Sequence, residues 1–271
     1  MAIPQLDDKW DDIRKFLNPQ FSGWWACCCV VGAFLTRLPF PAVKGGEKKG
    51  ALFAAAKAFP LIGCLVGIIA GLALMIAAKF NLHPLAYAFI GLAAAALVTG
   101  ALHEDGLADL ADGFGGGATK TEKLKIMKDS RIGAFGVLAL VFSVGIRAAI
   151  LGGLPGPGMA AVALIAAGAL SRALLPAVMG FLDPARKSGL AAKAGVPDDE
   201  GWVTALVLGV LLAFLCLGFW GGVLALVFSV AAVAAVGWLA ERQIGGVTGD
   251  VLGAQQQMAE IAVLVAAAAS L

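Results

Sequence analysis

The chain has 271 residues, of which 60% are apolar and 14% charged, with a formal net charge of +2. Its mean hydropathy is +0.90, and its charges sit in short stretches between apolar runs of about twenty residues, the length that crosses ~30 Å of hydrocarbon. That pattern excludes an ordinary soluble domain and makes the lipid bilayer a partner; with no basic patch, no nucleic acid is expected.

The opening, MAIPQLDDKWDDIRKFL, mixes four Asp with Lys9, Arg14 and Lys15. It lacks the basic n-region and clean apolar h-region of a cleaved signal peptide, so the chain is expected to be retained whole. Segment 21–41 ends in FLTRLPFP, and its prolines and Arg37 suit a bent, re-entrant or interfacial piece better than a plain span. Spans follow at 51–79, 84–102, 134–152, 158–180, 202–220, 221–239 and 258–271. The expected fold is an all-α polytopic membrane bundle of about seven transmembrane helices plus that N-terminal segment. No fixed-period repeat and no long linker divides it, so 1–271 reads as one integral-membrane catalytic domain.

The connections near 44–49, 103–132, 181–200 and 241–257 carry nearly all the Lys and Arg, whereas 80–83, 153–157 and 220–221 carry almost none. The positive-inside rule puts the first set in the cytoplasm. Five cysteines, Cys27, Cys28, Cys29, Cys64 and Cys216, lie in apolar surroundings with no CxxC or Cys/His cluster. They read as packing residues.

The chemistry concentrates in the 103–132 loop. HEDGLADLADGFGGG (103–117) places Glu104, Asp105, Asp109 and Asp112 within nine positions. Spacings of four and three put Asp105, Asp109 and Asp112 on one helical stripe, where each like pair repels by about a few tenths of a kcal/mol. Topology gives no reason for such a stripe; a hydrated Mg²⁺ carrying a phosphorylated substrate does. Glycines 113 and 115–117 then let backbone N–H groups approach an anion. Lys120, Lys123, Lys125, Lys128 and Arg131 follow, able to offset phosphate charge. This order of parts suits phosphoryl transfer. The lysines equally serve as the positive-inside signal, and the glycines as a helix C-cap and turn.

Arg147 and Arg172 fall inside apolar runs, where a cation is costly unless it faces a polar cavity or pairs with an acid. Asp250 and Glu260, in GGVTGDVLGAQQQMAE (245–260), form a second acidic cluster able to complete a metal site. His103, beside the carboxylates, is either a helix-end hydrogen bonder or a base.

HEDGLADLADGFGGG, followed by KIMKDSRIGAFGVL (125–138), resembles the signature of cobalamin synthases, the adenosylcobinamide-GDP ribazoletransferases. FLTRLPFP (34–41), SRALLPAVM (171–179), ARKSGL (185–190) and GGVTGDVLGAQQQMAE resemble further segments of that family in the expected order. The resemblance runs from about residue 34 to 260 and leaves 1–33 uncovered.

The resemblance implies an Mg²⁺-dependent transfer at the bacterial inner membrane, with the site facing the cytoplasm. A hydroxyl of α-ribazole or its 5′-phosphate attacks the cobinamide-linked phosphorus of adenosylcobinamide-GDP, and GMP departs. It implies metal ligands at Asp105, Asp109 and Asp112 with Glu104 near them. Substrate contacts are implied at Gly115, Gly116, Lys120, Lys128, Ser130, Arg131, Arg172 and Asp250, and catalytic roles at His103, Asp105, Asp109 and Arg131. The base is His103 or an aspartate. The acceptor's phosphorylation state and any assembly into a homo-oligomer stay open. A CDP-alcohol phosphotransferase is the nearest rival, but the Arg its pattern needs after Asp105-Gly106 is missing, since Ala108 is followed by Asp109.

Overall fold

The computed structural model describes residues 23–48, 50–186, 189, 197 and 199–271. Readings that fall on 1–22 and on most of 187–198, including part of ARKSGL, lie outside the described residues. The described chain is all-helical apart from one isolated bridge, Pro184 with Val247.

The helices of seven residues or more are α1 (Trp24–Leu35), α2 (Phe59–Ala78), α3 (Pro84–Thr99), α4 (Leu102–Gly116) and α5 (Lys120–Ile126). They continue as α6 (Ala134–Gly153), α7 (Pro157–Phe181), α8 (Asp199–Ile244) and α9 (Gly249–Ala269). Five of them are long and apolar enough to cross a membrane, and α3 with α4 makes a sixth candidate if that bent pair is one span. A straight α8 would run ~69 Å at 1.5 Å per residue, more than twice a bilayer core. It does not run straight. Gly218 sits at φ 70°, ψ −174°, and Trp202 and Trp238, from opposite arms, line one cavity. The helix folds back into a hairpin, two residues before the break expected at 220–221.

Apolar content alone does not set which helix is central; small residues do. A side chain at Gly63 or Gly67 of α2 would collide with the carbonyls of Gly168 or Leu164 on α7, so these helices pack backbone against backbone, as membrane helices with small-residue seams do. Alanine-rich α7 is thereby buried over most of its length, with Ala160, Ala163, Ala166, Ala167, Ala169 and Ala173 inaccessible. Helix α1, at twelve residues ~18 Å long, is too short to span.

Three expectations change, one of them the last span, which begins at Gly249 and not at 258. The 84–102 span stops at Thr99, where Gly100 (φ 65°) and Ala101 (φ 56°) turn left-handed and α4 leaves α3 at 92°. A left-handed alanine costs roughly 1–2 kcal/mol. The Ala101 N–H donates to the Ala96 carbonyl at 2.8 Å, which closes the turn. The stretch 103–132 is then not a loop: α4 and α5 occupy most of it, because the left-handed turn restarts a helix through the acidic stripe and Thr119 nucleates another.

The connections sort onto two ends of the bundle. Val247 donates to the Asp183 carbonyl at 2.8 Å and Ala185 to that of Val247 at 2.9 Å; Lys123 donates to Gln243. Basic segments near 120, 185 and 245 therefore meet at one end. At the other, Leu154, Gly158, Leu217 and Ser270 surround one cavity.

Candidate active site

Two helix starts build the site. Gly106, one turn into α4, lies where a Cβ would stand 2.9 Å from the Asp250 carbonyl and 3.1 Å from the Gly253 Cα. The missing side chain lets α4 cross the N-terminus of α9. Thr248 caps α9, its hydroxyl accepting from the Val251 N–H at 3.2 Å. Asp250 falls in that first turn, where the positive end of the helix favours a carboxylate. Its Oδ2 accepts from the Thr248 hydroxyl at 3.2 Å and faces Arg186 Nη2 at 3.6 Å.

Asp105 is exposed and Asp109, one turn on, half-buried. Asp109 lies within electrostatic reach of Asp105, Asp250 and Asp112. Asp105 is shared by two cavities. One, about 180 Å³, is lined by Phe34, Leu35, Phe59, His103, Leu175 and Asp250 among others. The second, about 410 Å³, opens toward Arg37, Thr99 and Gly100. Phe34 and Leu102 also border both, so the two form a cleft divided at Asp105.

The other acids of the motif point elsewhere. Asp112 is buried and receives the N–H groups of Gly133 (2.6 Å) and Gly136 (2.8 Å), capping α6 from a neighbouring helix. Charge-assisted bonds at a helix start satisfy N–H groups that α6 itself cannot. Glu104 turns inward, accepting from Gln257 Nε2 at 3.1 Å and facing Arg147 at 3.5 Å. Arg147 donates to Glu260 at 2.9 Å, and Arg172 lies 3.8 Å from the other Glu260 oxygen. Gln256 joins through Glu260 (2.6 Å) and Ser171 (3.0 Å). Two glutamates thus balance two arginines inside the bundle. Glu260, considered for a second metal cluster, is the acid that explains both buried cations.

The basic half forms a separate surface. Thr119 and Glu122 make a capping box at α5, and the N–H groups of Thr119 and Ala118 hold the Glu122 carboxyl below its usual range. Lys120 reaches Gly245; Lys128 and Ser130 are exposed. Arg131 forks onto Asp129, Nε to Oδ1 at 3.1 Å and Nη2 to Oδ2 at 2.7 Å. Those bonds hold Asp129 down to about 2 and raise Arg131. Gly115 and Gly116 lie within the last turn of α4, not in a loop, so their N–H groups belong to the helical ladder. Arg131 shares a cavity of about 500 Å³ with Asp112 and Gly116, apart from the Asp105 cleft. The structure therefore unites His103, Asp105 and Asp250 on one cavity, keeps Asp109 within electrostatic reach of the two aspartates, and separates Lys128, Ser130 and Arg131 from them.

Arg37 and Arg186 stand beside that cleft, and neither charge nor spacing along the chain marks them as substrate contacts. Each stands inside a segment that resembles the family, FLTRLPFP and ARKSGL, which was the available signal.

Among the described residues, no three His, Cys, Asp or Glu side chains form a ready ligand cage. Mg²⁺ does not require one: it keeps most of its waters and is commonly held by one or two carboxylates plus substrate phosphates. Asp105 and Asp109, with Asp250 opposite, offer hard oxygen donors of that kind. Their donor chemistry fits.

A helical membrane bundle enclosing a carboxylate-lined cleft is the class these features define. The chain belongs to the cobalamin-5-phosphate synthase family, whose profile matches residues 28–268. It is 44% identical over 240 residues to an adenosylcobinamide-GDP ribazoletransferase of Bradyrhizobium diazoefficiens, covering 89% of this chain and 92% of that one. A protein of the same description from Mesorhizobium japonicum is 45% identical over 245 residues, covering 90% and 92%. Another, from Sinorhizobium medicae, is 41% identical over 271 residues, covering 97% of each. No solved structure matches the chain.

Proposed function

We propose that this chain is an adenosylcobinamide-GDP ribazoletransferase that closes the nucleotide loop of cobalamin. The observation that carries the reading is the meeting of Asp105 and Asp250 at a two-part cleft, with Asp109 one helical turn away within electrostatic reach of both. The acceptor is α-ribazole or its 5′-phosphate. Its hydroxyl oxygen bonds to the cobinamide-linked phosphorus, the bond from that phosphorus to the bridging oxygen breaks, and GMP leaves with the electron pair. The hydroxyl proton goes to a carboxylate at the cleft, and Asp250, facing the smaller cavity beside Asp105, is placed to take it.

Asp105 and Asp109 would hold Mg²⁺. The ion would neutralise the diphosphate and the leaving oxygen. Arg186 keeps Asp250 oriented, and exposed Arg37 borders the larger cavity, where an anionic group would be drawn. Asp105 and Asp112 are seven residues apart on α4, ~10 Å. A nucleotide bound at the first therefore reaches toward Lys128, Ser130 and Arg131. The membrane is the bacterial inner membrane, with the basic end and the cleft on the cytoplasmic side.

The test is turnover by purified protein in detergent with adenosylcobinamide-GDP, Mg²⁺ and each acceptor in turn. GMP and a cobamide should form in equal amounts. Absence of both with either acceptor would sink the proposal.

A further inference from the structure

We infer that the smaller cavity behind Asp105 and Asp250 receives the uncharged aromatic base of the acceptor nucleoside, with His103 as its polar anchor. This rests on the function proposed above and locates one of its substrates.

Three observations converge there. The walls are apolar, with Phe34, Leu35, Phe59, Leu175 and Leu252 around a space of about 180 Å³. That is below the ~300–1,000 Å³ of sites for drug-sized ligands, which suits one small ring system and excludes the macrocycle of a cobinamide. Second, His103 lines the same space, is only 3% exposed, and its Nδ1 has no hydrogen-bond partner. Buried polar atoms are normally satisfied, and one without a partner on a residue that borders a cavity calls for a ligand atom. Third, Asp105 and Asp250 stand on the same cavity, so a ring seated inside leaves its sugar hydroxyls at the carboxylates.

A lipid chain would fill apolar walls too, but it offers nothing to the His103 nitrogen and nothing to react at the carboxylates. The base of a ribazole has an apolar bicyclic body and a free ring nitrogen, which matches both the walls and the anchor. The larger cavity, bordered by Arg37, is then left to the anionic donor. His103 on this assignment positions the acceptor rather than moving a proton.

The experiment compares His103→Asn with Leu175→Phe, which fills the cavity; Leu252→Phe is the second filling variant should Leu175→Phe not accumulate. KM is measured separately for α-ribazole and adenosylcobinamide-GDP, and α-ribazole binding is titrated without donor by calorimetry. The expected result is acceptor KM and Kd raised tenfold or more in both classes of variant, with donor KM within twofold. Unchanged acceptor KM and Kd in stably folded variants, or a rise in donor KM instead, overturns the assignment. Should the wild-type protein bind the ring yet make no cobamide, the proposed reaction fails while this site stands.

Discussion

Arg147 on α6 reaches across the bundle to Glu260 on α9, Nη1 to Oε1 at 2.9 Å, both side chains nearly inaccessible. One contact ties the helix that Asp112 caps to the helix that carries Asp250. Removing one member of a buried ion pair leaves an uncompensated charge, which costs about 3–5 kcal/mol. Arg147→Met is therefore expected to lower the unfolding temperature in detergent sharply. Asp105→Asn, at an exposed position, should leave that temperature unchanged. Equal unfolding temperatures for Arg147→Met and wild type would remove the structural role assigned to the pair.

Asp105 and Asp109 should behave differently from Asp112. Asp105→Asn or Asp109→Asn keeps size and removes a donor charge, so turnover should fall by about a hundredfold or more and the Mg²⁺ requirement should rise. Chelating Mg²⁺ should abolish wild-type turnover. Asp112→Asn sets an amide N–H against one of the two N–H groups it now accepts, at a cost of about 1–3 kcal/mol. Its signature is a lower unfolding temperature with an unaltered Mg²⁺ requirement. The reverse pattern would return Asp112 to the metal.

Sidedness can be read by labelling. With native cysteines replaced, Ala118→Cys and Glu241→Cys report on the basic end and His83→Cys on the other, all three at exposed positions. An impermeant thiol reagent added to intact spheroplasts should modify only the His83 variant. Modification of either of the first two inverts the proposed orientation.

Arg131 invites a test of shape against charge. If it serves only orientation, Arg131→Lys is silent. If its fork, held ready by Asp129, meets the departing nucleotide, lysine cannot reproduce the paired bonds. The second outcome is expected: normal expression, with turnover or substrate affinity reduced roughly tenfold or more, about 1.4 kcal/mol.

The Asp129 carboxyl, held at about 2, gives the same pair a pH signature. A depressed carboxyl contributes fully above its ordinary range near 4 and loses that contribution only as pH falls through about 2. Asp129→Asn should therefore leave any acid loss of activity above pH 4 where it was. A shifted acid limb would show that Asp129 titrates in the working range.

Local chemistry and spacing along the chain determined much of this protein: the apolar runs that must become helices in lipid, the two classes of connection, the break near 220, and the acidic stripe with Asp105 and Asp109 at its heart. Each depends on near neighbours or on the solvent around a segment, and both are written into the order of residues. Tertiary structure alone decided what those side chains meet. Glu104 and Asp112 share a helix with Asp105, yet one pairs with Arg147 and the other caps α6, because those partners arrive from residues dozens of positions away. The 92° turn at Gly100 and Ala101 aims α4 across α9, and only that crossing brings Asp250 to Asp105 and opens the cavity beside His103.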